Sequence, residues 1–116
     1  MGISHLPRWQ WEGYPRYHST RANLLLHIVV VPLFLIANVA LVVALVERAW
    51  LAAILAVAAM LVSVALQGRG HRREALAPEP FSGPFNALSR ILLEQWVTFP
   101  RFVLSGGWSH AMRAAP

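Results

Sequence analysis

The chain has 116 residues, 57% of them hydrophobic and 13% charged, and its net charge of +5 comes from ten Arg against five Glu, with no Lys and no Asp. Soluble domains carry about 25% charged residues, so a chain this short and this apolar (mean hydropathy +0.51) has too little polar surface to face water on every side. The absence of Cys excludes disulfide and thiolate chemistry.

Residues 1–21 read as an interfacial segment in which Pro7 and Pro15 keep any helix short. Trp9, Trp11, Glu12 and several Arg precede the first apolar run, and no small-residue cleavage site follows it. The run is therefore expected to be retained rather than removed as a signal peptide. Residues 22–46 contain no Asp, Glu, Lys or Arg, and a membrane-spanning helix needs about 20 mostly apolar residues. Glu47 and Arg48 make a very short connection to a second uncharged run, residues 49–68, so the two runs must be antiparallel. Ala52, Ala53, Ala56, Ala59 and Ser63 would let the helices approach closely.

The Arg residues flank these runs, with Arg8, Arg16 and Arg21 before the first, Arg69, Arg72 and Arg73 after the second, and Arg48 alone in the turn. Such flanks suit anionic lipid headgroups. They are not interleaved with aromatics on one polar face, so no nucleic-acid interface is expected. By the positive-inside rule both chain ends face the cytoplasm. Residues 69–108 read as a same-side loop, broken by Pro78, Pro80, Gly83 and Pro84, followed by an amphipathic helix over 86–99 that Pro100 and Gly106-Gly107 end. Residues 109–116 are expected to be an unstructured tail. Trp9, Trp11, Trp50, Trp96 and Trp108 fit aromatic belts at the two interfaces. The fold class is all-α: an integral-membrane helical hairpin with an additional interfacial helix. A hairpin alone buries little surface, which points to homo-oligomers.

The hairpin returns the chain to the side where it began, bringing His18, His27 and His71 to one membrane face. Glu74 follows His71 at i,i+3, a spacing that puts imidazole and carboxylate on one face of a helix. Several His with a carboxylate and open positions is the donor set of non-heme Fe(II) oxygenases, and Zn takes the same donors. The plainer alternative is that these His are interfacial anchors. His27 argues against it, because ionisable groups inside a span are rare and usually functional. Asn23, one turn earlier, is a candidate to orient His27, and Arg69, Arg72 and Arg73 are candidates for a substrate carboxylate, with headgroup contact as their default role. Glu94 and Gln95 interrupt an apolar helix face. A solvated face is the default for them, and Glu94 joining the site as ligand or base is the alternative.

Tyr17-His18, Asn23, His27 and Pro32, followed by Gln67-Gly68-Arg69-Gly70-His71, Glu74 and Pro78, make the chain resemble the fungal 2-hydroxy fatty acid dioxygenase family over roughly residues 17–80. Pro80-Phe81-Ser82-Gly83-Pro84 and Glu94-Gln95-Trp96 through Phe99-Pro100-Arg101-Phe102 resemble its short bacterial relatives, small membrane proteins of unknown function. The chain departs from the pattern at Val30, where the family has Gly, in the spacing of Glu74 from His71, three residues instead of four, and in having two spans where members commonly have more. The resemblance implies Fe(II) held by His18, His27 and His71, with Glu74 a weaker carry-over. It also implies oxidative shortening of a 2-hydroxy fatty acid by one carbon, in a bacterial cytoplasmic membrane. Without it, the residues also allow a non-catalytic small subunit that packs against larger partners.

Overall fold

Two uninterrupted apolar stretches set the longest helices. In the computed structural model, which describes residues 3–116, a short 3-10 turn leads into α1 (Leu6–Tyr17). There follow α2 (Arg21–Val46), α3 (Trp50–His71), α4 (Pro84–Leu93), a π-helical turn (Glu94–Thr98), α5 (Phe99–Leu104) and α6 (Gly107–Ala114). The described residues contain no strand, so the expected all-helical class holds, and α2 and α3 are each long and apolar enough to cross a membrane.

α2 begins where the Thr20 side chain accepts a hydrogen bond from the Asn23 backbone N–H, an N-cap that satisfies one of the helix's free donors. It ends at Glu47, and Arg48 reverses the chain in a left-handed conformation (φ 55°). α2 and α3 then run antiparallel along a seam of small residues. Asn23, Val30, Ala37 and Ala44 are buried at intervals of seven on α2, and Ala56, Ser63 and Gly70 repeat the interval on α3. A seven-residue repeat keeps one stripe facing a partner helix, and small side chains let the backbones approach. Ala53 joins the seam, whereas Ala52 is exposed. The outer faces keep their apolar side chains uncovered: Val29, Ile36, Val46, Leu51 and Leu61 are all more than half exposed.

At the open end of the hairpin, α1, α5 and α6 pack on α2. Tyr14, Leu24, Val31, Phe99 and Phe102 form one buried cluster there. The C-terminal part departs from the sequence expectation in two ways. The helical run starts at Pro84 and continues past Pro100 to Leu104. Pro lacks an N–H and its ring collides with the carbonyl four residues back. The wide turn just before Pro100, in which the Phe99 N–H bonds to the Glu94 carbonyl, absorbs that conflict instead of ending the helix. Residues 107–114 are helical rather than an unstructured tail. Their partner is α2, which their own sequence does not reveal. The Trp108 indole donates to the Leu24 carbonyl at 2.9 Å, Arg21 donates to the Met112 carbonyl at 3.2 Å, and Gly107 lies against the Phe102 ring.

Nor are the Trp residues simply a belt. Trp96 donates to Asn38 Oδ1 at 3.0 Å, and Asn38 lies about 16 Å beyond His27 along α2 at 1.5 Å per residue. The π-turn therefore packs down the side of the hairpin. Gln95 and Gln67 fasten it there by a reciprocal amide pair at 2.8 and 2.9 Å. Gln67 also donates to Ser63, whose hydroxyl in turn donates to the Val30 carbonyl.

Candidate metal centre

Four elements deliver one donor each to a buried point at the mouth of the hairpin. His18 caps the end of α1, His27 lies in the second turn of α2, His71 is the last residue of α3, and Glu94 opens the π-turn. One ligand atom from each of these four residues lies within 4.8 Å of all the others. The three imidazole rings stand almost mutually perpendicular, at 89°, 81° and 85°, with centroids 4.6 to 5.1 Å apart.

Backbone carbonyls aim two of the rings. His18 Nδ1 is 3.0 Å from the Tyr14 carbonyl oxygen and His27 Nδ1 is 3.0 Å from that of Asn23. Each Nδ1 therefore carries the proton, and each Nε2 presents a lone pair, the usual arrangement behind a metal-ligating His. His18 Nε2, His27 Nε2 and His71 Nδ1 are buried without a hydrogen-bond partner. Leaving buried polar atoms unpaired is costly, and a shared cation answers all three. Tyr14 stacks on His18 at 3.7 Å and its hydroxyl donates to Glu94 Oε2 at 2.7 Å. The same oxygen lies 3.3 Å from His18 Nε2 and 3.8 Å from His27 Nε2. Burial would raise the Glu94 carboxyl, but a proton on His18 or His27, hydrogen-bonded or close to it, and the Tyr14 hydroxyl hold it below the usual carboxylate range, and a metal ion on the neutral rings would supply the same positive charge. Burial, together with the charge of Glu94 and the bond to it, pushes the Tyr14 hydroxyl well above its ordinary value, so Tyr14 stays a donor. Three neutral imidazoles and one carboxylate can hold a divalent metal ion, and these donors fit iron or zinc.

The hairpin thus brings His18, His27 and His71 together, as the sequence implied. It does not bring Glu74 to them. α3 stops at His71, so the helical i,i+3 relation to Glu74 is never realised. The carboxylate turns to the start of α2 instead. Oε1 accepts from the Ser19 N–H and hydroxyl at 2.9 and 2.8 Å. Oε2 accepts from the Thr20 N–H and hydroxyl at 3.0 and 2.8 Å, and from Asn23 Nδ2 at 3.0 Å. Glu74 is a clasp between the end of α3 and the start of α2, where the helix dipole also favours an anion. The fourth donor is Glu94. Its sequence signals were the interruption of an apolar face at Glu94 and Gln95 and the resemblance of that stretch to the short bacterial relatives, and the amide of Gln95 is likewise engaged rather than solvated. Asn23 supports His27 through its backbone carbonyl, while its side chain serves Glu74. Arg69, Arg72 and Arg73 are exposed.

Burial would raise the Glu74 carboxyl above 4.5, but the donors from Ser19, Thr20 and Asn23 outweigh it and hold the group at about 2. A folded value below the unfolded one means that the contribution to stability is complete above about pH 4.5 and is lost as pH falls toward 2. Glu74→Gln is expected to flatten the decline of thermal stability across that window. Melting temperatures that fall as steeply in the variant as in the parent would show that the clasp does not titrate.

His18, His71 and Glu94 also line a cavity of about 310 Å³ between α1, the end of α3, the loop before α4, and α4 itself. A family model described as 2-hydroxy-palmitic acid dioxygenase Mpo1-like matches residues 6–103, a range that contains all four donors. The chain belongs to this family. No curated protein and no solved structure matches it. For an Mpo1-like chain the donor group has a chemical context: a dioxygenase family points to iron among the metals that these side chains can hold.

Proposed function

We propose that the chain is a membrane-embedded, iron-dependent dioxygenase that shortens a 2-hydroxy fatty acid, or a similar lipid-like acid, by one carbon. The observation that carries this reading is the set of three buried, unpartnered imidazole nitrogens converging with Glu94 beside a cavity. His18, His27, His71 and Glu94 would hold the iron, which when bound would supply oxygen activation and a Lewis acid for the hydroxyl of the substrate. The protein's part is orientation and dryness. The Tyr14 and Asn23 carbonyls fix the rings of His18 and His27, Tyr14 keeps Glu94 in place, and the packing of α1 over the hairpin mouth keeps water from the donors.

The bilayer placement rests on the uncovered apolar faces of α2 and α3, a surface that water would not tolerate and lipid would solvate. Every Arg except Arg48 belongs to the end of the hairpin that carries the donors, which by the positive-inside rule supports a cytoplasmic side for that end, with α1 and α6. An amphiphile could then enter from the bilayer with its head at the mouth and its chain in lipid.

Protein purified with Fe(II) is expected to consume oxygen with 2-hydroxypalmitate and to release a product one carbon shorter. Zinc at full occupancy with no oxygen uptake would sink the oxygenase reading and leave a structural metal site. Gly68 supplies a steric control, since it lines the cavity and an added Cβ there would meet nothing within 4 Å. Gly68→Leu is expected to keep the fold and the iron but to lower kcat/KM for 2-hydroxypalmitate by about tenfold or more, as a branched side chain takes the volume the substrate needs. Unchanged kinetics would place the substrate elsewhere.

A further inference from the structure

Among the described side chains around the cavity, Arg90 is the one Arg or Lys, and no carboxylate of the described residues pairs with it. It is half-buried on α4, one helical turn before Glu94, so the two residues share a face and line the same cavity. The ion pairs among the described residues involve Arg8 with Glu12, and His18 and His27 with Glu94; none involves Arg90. Glu94 is turned to Tyr14 and the imidazoles instead. The guanidinium is held firmly all the same. Nη2 donates to the Glu79 carbonyl at 2.8 Å, and Nη1 lies 3.2 Å from the Pro80 carbonyl and 3.5 Å from Asn86 Oδ1. The rings of Phe81 and Trp9 flank it at 4.5 and 5.0 Å. These hydrogen-bond partners are neutral and orient the group; the Glu79 and Glu94 carboxylates lie near enough to favour its charge, but neither forms an ion pair with it. A partly desolvated, pre-oriented guanidinium with charge to spare is suited to a carboxylate, which it can bind through two parallel N–H bonds. Arg69 and Arg72, the carboxylate candidates of the sequence, do not line this cavity.

We propose that Arg90 is the positioning residue for the acid: it binds the carboxylate of the 2-hydroxy acid in the cavity beside the His18, His27, His71 and Glu94 group. This rests on the dioxygenase reading for the identity of the acid, and the binding itself needs no turnover. The head of the substrate would lie between Arg90 and the donor group, with Gly68 and Val64 of α3 leading away toward the apolar flank of the hairpin. Specificity for an acid over an ester or an alcohol would then come from Arg90.

The test is binding measured without oxygen, by titration calorimetry on the full chain in phosphatidylcholine nanodiscs, with 2-hydroxyoctanoate and its methyl ester as probes. Arg90→Gln is expected to weaken the acid by about tenfold and to leave the ester unchanged, the effect of losing one charge-assisted contact. Arg90→Lys, which keeps the charge and loses the fork, should fall between. Equal weakening of acid and ester would mean that Arg90 only clamps the loop at Glu79 and Pro80, and would overturn the proposal, as would unchanged acid binding. Nanodiscs containing phosphatidylglycerol separate the two sources of an anion. If the anionic lipid displaces the acid from the parent protein but not from Arg90→Gln, the site belongs to a headgroup and the proposal is lost. An Arg90-dependent preference for the acid without oxygen uptake on 2-hydroxypalmitate would sink the dioxygenase reading alone. Oxygen uptake with an unchanged KM in Arg90→Gln would sink the Arg90 assignment alone.

Discussion

His27→Ala is expected to remove the bound metal and, with it, at least about 100-fold of the oxygenase rate, since even residues that only support metal ligands cost 10- to 100-fold when lost. His27 has no solvent exposure, its Nδ1 is committed to the Asn23 carbonyl, and its Nε2 has no partner but the donor group itself. Nothing else in the second turn of α2 can take its place: Leu24 and Val31, one turn to either side, are apolar and buried. Elemental analysis of purified His27→Ala, His71→Ala and Glu94→Gln, beside Glu74→Gln, checks this directly. The first two should lose the metal, Glu94→Gln should weaken it, and Glu74→Gln should keep it. Stoichiometric metal in His27→Ala, or loss in Glu74→Gln alone, would move the site away from the group formed with Glu94. Because an emptied buried position also destabilises, the melting curve of the variant should be compared with that of the chelator-treated parent. Similar curves would assign the loss to the ligand rather than to the fold.

Gly70→Ala is expected to be the most destabilising small substitution in the hairpin, by about 3 kcal/mol, in the range of overpacking a tight core. A Cβ at Gly70 would fall 2.3 Å from Asn23 Oδ1 and 2.8 Å from a methyl of Leu26, distances that neither neighbour can accept without moving. Asn23 is not free to move. Its amide holds Glu74 and its carbonyl holds His27, so displacing it loosens the clasp and tilts a donor. Gly68, two residues earlier, provides the contrast. There a Cβ meets nothing, and Ala is the better helix former by about 1 kcal/mol. Gly68→Ala should therefore hold or raise the melting temperature in detergent while Gly70→Ala lowers it and reduces metal retention. Equal melting temperatures would mean that the α2–α3 contact at the mouth is looser than its geometry indicates.

The two apolar helices and their antiparallel pairing could be read from the chain itself, because an unbroken run of uncharged residues is a local property and a two-residue connection leaves no other path. The convergence of His18, His27 and His71 followed from that pairing together with the motif resemblance. The fourth donor did not. Glu74 and Glu94 are chemically the same, and spacing favoured Glu74, but i,i+3 places two groups together only while the helix continues, and α3 ends at His71. Which carboxylate reaches the imidazoles was decided by contacts distant in sequence, with Ser19 and Thr20 drawing Glu74 away while Tyr14 and the π-turn bring Glu94 in. Distant contacts also set Arg90, rather than Arg69 or Arg72, in the wall of the cavity, and they order α6, whose partners lie more than 80 residues earlier. By itself the sequence determined that the chain forms an apolar hairpin with His at its mouth. Only the tertiary structure decided which charged groups face inward, because a charge in a short polar segment takes its environment from whatever packs against it, and here that is α1, at the opposite end of the chain.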